Sequence, residues 1–420
     1  MENNRRGTYV FFTAISNCIT GGLIYVRNKI KYLKQIGWKV VVFPTNDGPV
    51  YIEGLEDYRS KEFLFLQYHP SQLNKYQLNY CIKKIVDKVQ INDCIIIETG
   101  TDFTSYWGEL LAARLNCRHI IFFLDEHNKD INSNNSDFFK FKYERKELSC
   151  ISEQTLKSIF GCYFSTSHNS YPLKAYCSNS IEDIRTNLIG RIRNIKKDWC
   201  IGSIGRIEKN VALEVVKSVQ ELSKTYLDKK ILVIFFGGGP KGVEKRLQDS
   251  FIGFNNVTVI ITGYLFPIPL DCARECDVFV STSGSARASA NIGIPTIKID
   301  MYDNKPLGII INDKTNDYKT LDTSNTVDYL DWLLCKNNTK LEYVTESLDY
   351  IWDSYCVEYS KQIEYAQNLN NSNEYYPTEK INNNGLDKIK KYVCNFLGVN
   401  IAVKIQRLYS RCYMAMKNKL

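Results

Sequence analysis

The stretch that decides the fold covers residues 277–300 and reads DVFVSTSGSARASANIGIPTIKID. Its apolar run, residues 278–280, has the residue types of a buried parallel strand. Small and hydroxyl-bearing residues follow at 281–285, and residues 286–292 are predicted as a helix that ends at Gly293. A loop of small residues before a helix N-terminus exposes backbone N–H groups that can bind phosphate. The alternative for this segment alone is an ordinary strand, loop and helix packed with small residues.

Other segments repeat this pattern of an apolar strand followed by a glycine-rich turn. They are residues 9–12 before Gly21 and Gly22, residues 200–204 before Gly205, and residues 231–236 before residues 237–240. Arg206 and Lys209 come directly after the second of these strands. In open α/β sheets, ligands bind outside the carboxyl ends of the strands. The turns in both halves of the chain therefore predict one ligand cleft between two sheets.

The order of these motifs along nearly the whole chain carries a resemblance to a known family. The motifs are GG at 21–22, GWKVVVF at 37–43, LDEH at 124–127, ELSCISEQ at 147–154, IGRIEK at 204–209, FFGGGP at 235–240, VIITGY at 259–264, and DVFVSTS with GIPTI at 277–283 and 293–297. In this order they resemble the GT-B glycosyltransferases, and most closely the retaining family 4 (group 1). A chance series of strand ends would not keep the same order.

The resemblance implies an α/β fold of the GT-B type, with two Rossmann-like doubly wound domains facing across a cleft and C-terminal helices. It implies a retaining hexosyltransferase that uses a nucleotide sugar, either a UDP-sugar or a GDP-sugar, with no further cofactor and no metal. Breaking the bond to a nucleoside diphosphate leaves negative charge on phosphate oxygens, and fixed cations stabilise that charge in the transition state. Arginine suits one of the two cation positions because it binds phosphate oxygens in a bidentate manner.

Candidate site residues fall into three groups: the first two are carried over from the resemblance, and the third is chosen for carboxylates at strand ends. The catalytic candidates are His127, which would face the donor sugar, and the cation pair Arg206 and Lys209. The donor-binding candidates are Gly21, Gly22, Gly238, Gly263, Tyr264, Ser283, Gly284 and Ser285. The acceptor-side candidates are Glu98, Asp125 and Glu126, which stand at or near the ends of apolar strands. For these carboxylates, capping of the following segment is the alternative role.

The chain departs from the family pattern in two places: the spacing from Arg206 to Lys209 is shorter than usual, and a paired motif is missing. Members of the resembled family carry two glutamates eight positions apart, around the loop and helix that follow the strand at residues 278–280. Val280 and Ala288 occupy those positions in this chain. Two interpretations stay open: a divergent branch in which serines replace the lost contacts, or a chain without catalysis that binds a nucleotide or sugar as the partner of another transferase. A nucleotide-sugar epimerase of the same fold is a further alternative, which requires acidic residues beside the SGS loop.

The chain length predicts more than one domain, since 420 residues exceed the ~250–300 at which single cores stop growing. We predict an N-terminal acceptor-side domain over residues 1–195 and a nucleotide-sugar-binding domain over residues 196–335. These are followed by a helical crossover over 336–369, an Asn-rich linker over 370–384 and a basic amphipathic tail over 385–420.

The fourteen cysteines show no C-x-x-C pair, so they indicate reduced thiols and not a zinc site.

The charge of the chain is concentrated in its tail. Residues 386–420 contain eight basic side chains and one acidic one, while the whole chain has a net charge of +8. Apolar residues recur there at helical spacing, which is typical of a helix on an anionic membrane surface. A helix docked on the protein with a solvated basic face is the equal alternative.

No nucleic-acid-binding module is recognisable, no signal peptide is apparent, and no run of ~20 apolar residues predicts a spanning helix.

These observations together predict a glycosyltransferase that moves a sugar from a nucleoside-diphosphate sugar to a glycan acceptor, lipid-linked, in bacterial capsule or O-antigen biosynthesis. The protein is expected in the cytoplasm, peripheral on the inner face of the cell membrane. The abundance of Asn, Lys and Ile resembles that of bacterial chains from low-GC coding sequences. The step from fold to pathway is an analogy.

Overall fold

The computed structural model describes residues 7–15, 17, 19–89, 94–100, 102–125, 131–312, 314–336, 343–345, 348–369, 374–381 and 385–417. The chain divides into two compact units. The first comprises Met1–Val50, Gly54–Tyr176 and Tyr355–Leu420, and the second comprises Tyr51–Glu53 and Cys177–Ser354.

The first unit is built on a parallel five-stranded sheet. Its strands are β1 (Thr8–Thr13), β2 (Lys39–Pro44), β3 (Ile95–Thr99), β4 (Arg118–Phe123) and β5 (Leu148–Cys150). They lie in the order β2-β1-β3-β4-β5, which is a doubly wound order with its switch point between β1 and β3. The helices that connect the strands are α1 (Gly21–Gln35), α2 (Lys75–Val86), α3 (Asp102–Leu115), α4 (Ser136–Glu144) and α5 (Glu153–Phe160).

The second unit contains a seven-stranded sheet and a small two-stranded sheet. Its strands are β6 (Ile181–Glu182), β7 (Trp199–Ile204), β8 (Ile231–Phe236), β9 (Val257–Ile261), β10 (Ile268–Pro269), β11 (Val278–Thr282), β12 (Thr296–Ile299), β13 (Pro306–Asn312) and β14 (Asp317–Lys319). The large sheet has the order β14-β13-β12-β11-β7-β8-β9. It is parallel from β12 to β9, with β13 and β14 antiparallel at one edge.

The remaining helices follow the strands of the second unit and complete the first. They are α6 (Leu188–Arg193), α7 (Asn210–Thr225), α8 (Lys241–Asp249), α9 (Leu270–Ala273), α10 (Ser283–Asn291), α11 (Thr326–Asp331), α12 (Leu348–Asn368), α13 (Gly385–Leu397) and α14 (Val399–Lys417). A π-helical turn, Trp332–Lys336, continues α11. The predicted α/β class, with two Rossmann-like parallel sheets and C-terminal helices, is confirmed.

The side chains of the central strands alternate between the two faces of the sheet, which explains why the second unit has helices on both sides. In β8, Ile231, Val233 and Phe235 belong to one buried cluster and Leu232, Ile234 and Phe236 to another. Successive side chains of a strand point to opposite faces, so a continuously apolar strand needs cover on both faces. Residues of α7 and α11 pack into the first cluster, and residues of α6 and α9 into the second.

The second unit begins earlier than the boundary placed at residue 196. Residues 177–195 belong to it because β6 pairs with β10, where Ile181 lies opposite Ile268. Ile192 of α6 is fully buried in the same cluster as Cys272 of α9. Since the pairing partners of β6 lie ~85 residues later in the chain, local composition gave no signal for this boundary.

The segment predicted as a linker is ordered where the structure describes it. Residues 374–381 pack on the first unit: the Tyr376 N–H donates to Glu109 (2.9 Å), and Thr378, fully buried, donates to the carbonyl of Tyr106 (3.1 Å). Residues 370–373 and 382–384 lie outside the described residues. This correction has a physical reason, because Tyr376 and Ile381 pack against a buried cluster that includes α4 and α5 and so cannot behave as a solvated spacer.

Candidate functional site

The second unit has its topological switch point between β7 and β11. These neighbouring strands pair only at Val278 with Ile201 and Phe279 with Gly202. Beyond this point the Ser281 hydroxyl accepts a hydrogen bond from the Ile204 N–H (3.1 Å), so a side chain takes the place of the backbone ladder. Strands that part at their carboxyl ends leave the crevice in which α/β sheets bind ligands.

Helix α10 begins at one wall of this crevice. It starts at Ser283 and not at residue 286, so Ser283, Gly284 and Ser285 form its first turn and not a loop before it. Thr282 is the N-cap residue but makes no side-chain cap, since its hydroxyl donates to the carbonyl of Ile299 (2.7 Å). The first-turn N–H groups therefore lack a side-chain cap, and with the helix dipole they favour an anion.

Arg206 and Lys209 follow β7 at the other wall of the crevice. The Arg206 guanidinium lies 3.4 Å from the Glu208 carboxylate, and nearly half of its side chain is exposed. Partial desolvation lowers the pKa of Lys209, and Arg206 lowers it further, while Glu208 acts in the opposite direction. Two cations held beside each other at the end of a strand suit a dianionic ligand, which would restore the pKa of Lys209.

Glycine turns after β7, β8 and β9 pack against one another at the same edge. A methyl group on Gly237 would lie 1.8 Å from the Gly205 carbonyl oxygen, and one on Gly238 would lie 2.6 Å from the Tyr264 nitrogen. Gly263 has a φ of +73°, which side chains rarely adopt. These positions require glycine because backbone meets backbone there, so the edge presents main-chain N–H and C=O groups with few side chains.

Tyr264 adds an aromatic ring beside the turn after β9. Its ring packs on Tyr51, with centroids 4.6 Å apart. Tyr51 is one of three residues from the first part of the sequence that belong to the second unit. A tyrosine ring beside turns that expose main-chain groups is suited to stacking with a planar aromatic ligand.

Residues that the sequence analysis missed cover the first turn of α10. The Asn179 amide donates to the Ser285 hydroxyl (2.9 Å), and a methyl group on Gly284 would lie 2.1 Å from the Ser178 hydroxyl oxygen. The only signal in the sequence was the polar run CSNS at residues 177–180. Ser178 and Asn179 thus bring additional polar groups to the N-terminus of α10.

Substituting Gly284 by alanine tests how closely this turn is packed. We expect the added methyl to push against Ser178, displace the first turn of α10 and weaken nucleotide binding by about ten-fold, through the loss of one charge-assisted hydrogen bond. Binding is measured by isothermal titration calorimetry. The double substitution Gly284→Ala with Ser178→Gly removes the clash and should recover most of the affinity. Equal weakening in the single and double variants would contradict this packing argument.

In the first unit, the candidate glycines lie in a helix and not in the loop that the sequence predicted. Gly21 and Gly22 form the first two residues of α1 and not a loop, because Thr20 caps the helix by accepting from the Leu23 N–H (3.3 Å). A methyl on Gly22 would meet only Leu124, at 3.8 Å, so the protein leaves room there. Asp125 is exposed at the end of β4. Glu126 and His127 lie outside the described residues.

Glu98 is buried inside the first unit. Its carboxylate accepts from Lys29 (2.5 Å) and from the Tyr9 hydroxyl, and Lys29 also donates to Gln362 (2.8 Å). Glu98 is 3% exposed and Lys29 is fully buried. This environment gives Glu98 a charge-pairing role in the core, and we leave it out of the proposed acceptor site.

A second buried charge network lies under α3 and α4. Glu109 accepts from His119 Nδ1 and from Lys142, both at 2.8 Å. Burial opposes the charge on Glu109, but Lys142 and His119 outweigh it and hold its pKa at about 2. Burial lowers the pKa of His119 to about 4, so this histidine is neutral at physiological pH. His119 therefore has a structural role in this buried network.

Within the described residues, no group of three or more His, Cys, Asp or Glu side chains is arranged to hold a metal ion. A search of the same residues finds no helix with the length and apolar character needed to cross a bilayer.

Among solved structures, several chains of low sequence identity match most of the length of this chain. No protein-family model matches the sequence, and no curated protein matches it. A glycosyltransferase from Rickettsia africae ESF-5 is 12% identical, with 96% of this chain and 98% of that chain covered and a TM-score of 0.48. Anabaena Alr3699/HepE in complex with UDP and glucose is 12% identical, with coverages of 85% and 98% and a TM-score of 0.49. The UDP co-structure of S. aureus MnaA is 13% identical, with coverages of 87% and 98% and a TM-score of 0.44. At these identities and TM-scores, the matches describe what the chain is similar to and do not identify its activity.

Proposed function

We propose that this chain is a GT-B glycosyltransferase that transfers a sugar from a nucleoside-diphosphate sugar to a glycan acceptor. One observation carries the proposal. At the switch point of the second unit, a cation pair after β7 and the first turn of α10 after β11 flank strands that separate at their carboxyl ends. This arrangement suits a diphosphate, the charged part that every nucleotide-sugar donor shares.

In the proposed mechanism, the diphosphate is the part of the donor that the site binds, and it is also part of the leaving group. As the glycosidic bond breaks, charge grows on the phosphate oxygens beside Arg206 and Lys209. The first-turn N–H groups of Ser283, Gly284 and Ser285 donate to the same oxygens. Because these donors are fixed before the reaction, they stabilise the transition state with little reorganisation. Main chain around Gly238 and Gly263 borders the nucleotide, and Tyr264 stacks on its base.

The finer parts of the proposal rest on the family resemblance and stay predictions. They are retention of anomeric configuration, a hexosyl donor carried by UDP or GDP, and a lipid-linked acceptor in bacterial surface-polysaccharide biosynthesis. The peripheral position on the inner face of the cell membrane is a separate prediction, made from the basic amphipathic tail. We also keep as predictions the roles of His127 beside the sugar, of Gly21 and Gly22 beneath the diphosphate, and of Asp125 and Glu126 at the acceptor.

A second candidate function is a non-catalytic nucleotide- or sugar-binding partner of another transferase. It is favoured by Val280, which is fully buried, and by Ala288, since the family has glutamates at these two positions. Neither side chain has a carboxylate that could accept a hydrogen bond from a ribose or sugar hydroxyl. This candidate keeps the diphosphate site and lacks the reaction.

The experiment that separates the candidates incubates the purified protein with a panel of UDP- and GDP-sugars and measures the release of nucleoside diphosphate. Slow hydrolysis of one donor, accelerated by a glycan acceptor, is the result expected for a transferase. Nuclear magnetic resonance of the product then shows whether the anomeric configuration is retained. Binding without release would favour the non-catalytic partner, and an epimerised nucleotide sugar without release would favour the epimerase.

A further inference from the structure

The two C-terminal helices, α13 and α14, dock on the first unit through one face over residues 388–408, where the structure describes their side chains. Cys394, Val399, Ala402 and Val403 are buried in its core cluster. The Gln77 amide of α2 donates to the Cys394 carbonyl (2.6 Å), and Arg407 pairs with Asp47. The docked-helix interpretation of the tail is therefore correct for this face.

The outward face of each helix carries an exposed apolar ridge. Three side chains on α13 and three on α14 stand at helical spacing, so each set lies along one side of its helix. Together they form what we call the tail ridges: Ile389, Tyr392, Phe396, Ile401, Ile405 and Leu408. Phe396 is 90% exposed, more than any other large apolar side chain among the described residues. Large apolar side chains exposed together mark an interaction surface.

Positive charge predominates on the helices of the tail ridges, where Asp387 is the one acidic residue in the sequence of α13 and α14. Lys388, Lys391 and Lys404 are exposed on the same two helices. After Asp387 the sequence contains no acidic residue. Aromatic and aliphatic side chains flanked by lysines are the pattern of helices that lie in the interface of an anionic bilayer.

We propose that the tail ridges are a membrane-binding surface that inserts into the headgroup region of an anionic bilayer. Ile389, Tyr392 and Phe396 enter the boundary between headgroups and acyl chains, while the lysines meet the lipid phosphates. A second copy of this chain is a poorer occupant, because a two-fold interface would bring the same basic surfaces together. The surface lies in the first unit, so this proposal stands apart from the nucleotide site in the second.

The test is flotation of the full-length protein with vesicles of phosphatidylcholine and phosphatidylglycerol, compared with phosphatidylcholine alone. The ridge variant combines Tyr392→Ser with Phe396→Ser, and the charge variant combines Lys388→Gln, Lys391→Gln and Lys404→Gln. The matched control combines Leu227→Ser with Ile252→Ser, which removes two exposed apolar side chains from the second unit. All changed side chains are exposed, so the thermal midpoint of each variant should equal that of the wild type.

We expect wild type and control to float with anionic vesicles only, and binding to weaken with added salt. Each lysine near the surface contributes about five-fold to partitioning, so the charge variant should lose about 100-fold. The ridge variant should lose at least ten-fold in partitioning to the vesicles.

Equal flotation of wild type and ridge variant would overturn the proposal. So would wild-type self-association that Phe396→Ser abolishes in the absence of vesicle binding, or binding to nucleic acid with no binding to vesicles. Nucleotide binding should be unchanged in every variant.

Discussion

Replacing Arg206 by alanine is expected to remove most of the affinity for nucleoside diphosphates and nearly all transfer activity. Arg206 is one of two cations at the carboxyl end of β7, and a charge-assisted hydrogen bond to a phosphate oxygen contributes about 1.5–3 kcal/mol. The loss of binding should therefore be about 10- to 100-fold. The rate should fall by about 100- to 1000-fold, because the same group stabilises charge that grows in the transition state. Calorimetry measures the first effect and donor turnover the second.

Two further substitutions make the result specific to the site. Arg206→Lys keeps the charge but loses the bidentate fork, so it should retain part of the affinity and less of the rate. Arg246→Ala removes an exposed arginine from the last turn of α8 in the same unit and should change neither quantity. If Arg206→Ala bound nucleotides as tightly as Arg246→Ala, the assignment of the cation pair would be wrong.

Replacing Lys29 by methionine is expected to destabilise the first unit by about 3–5 kcal/mol. The Lys29 ammonium is fully buried and donates to Glu98 (2.5 Å), Gln362 (2.8 Å) and Tyr25 (3.0 Å). Burial lowers the pKa of Lys29, and Glu98 opposes this shift. Methionine fills a similar volume but leaves the Glu98 carboxylate buried without its cation, which is the costly outcome for a broken buried pair.

Differential scanning calorimetry measures this change in the unit where it arises. The transition of the first unit should fall by about 10 °C, while the transition that shifts with nucleotide should stay in place. The double substitution Lys29→Met with Glu98→Gln removes both charges and should recover much of the loss. Lys31→Met, at an exposed position on the same helix, is the control and should have little effect. A loss as large in the double variant as in Lys29→Met would show that packing, and not charge, holds this region.

The sequence predicted the central strands of both sheets and the glycine-rich turns at their carboxyl ends. Strand β8 was predicted at residues 231–236 with the bounds that the structure has, because an unbroken apolar run followed by three glycines leaves little choice. The two Rossmann-like sheets followed from the repetition of that pattern. Arg206 and Lys209 were predicted as a cation pair because they directly follow an apolar strand, and the structure has them after β7. Their role stays a prediction.

The parts that escaped prediction depend on contacts between distant residues. The approach of Ser178 and Asn179 to α10 joins residues more than 100 positions apart. Glu98 was taken for an acceptor residue because nothing in a local pattern reveals that Lys29 is buried against it. The tail was predicted either to dock or to bind a membrane, because periodicity identifies an apolar face but not what covers it. The structure shows one face docked and another exposed.

The central claim is that the switch point of the second unit binds a nucleoside diphosphate. A thermal-shift titration of wild type and Arg206→Ala with UDP, GDP and their sugars, without added metal, tests it most directly. We predict that one nucleotide class raises the thermal midpoint of the wild type by an amount that grows with ligand concentration, and that Arg206→Ala loses this shift. No shift of the wild type with any nucleotide would contradict the claim.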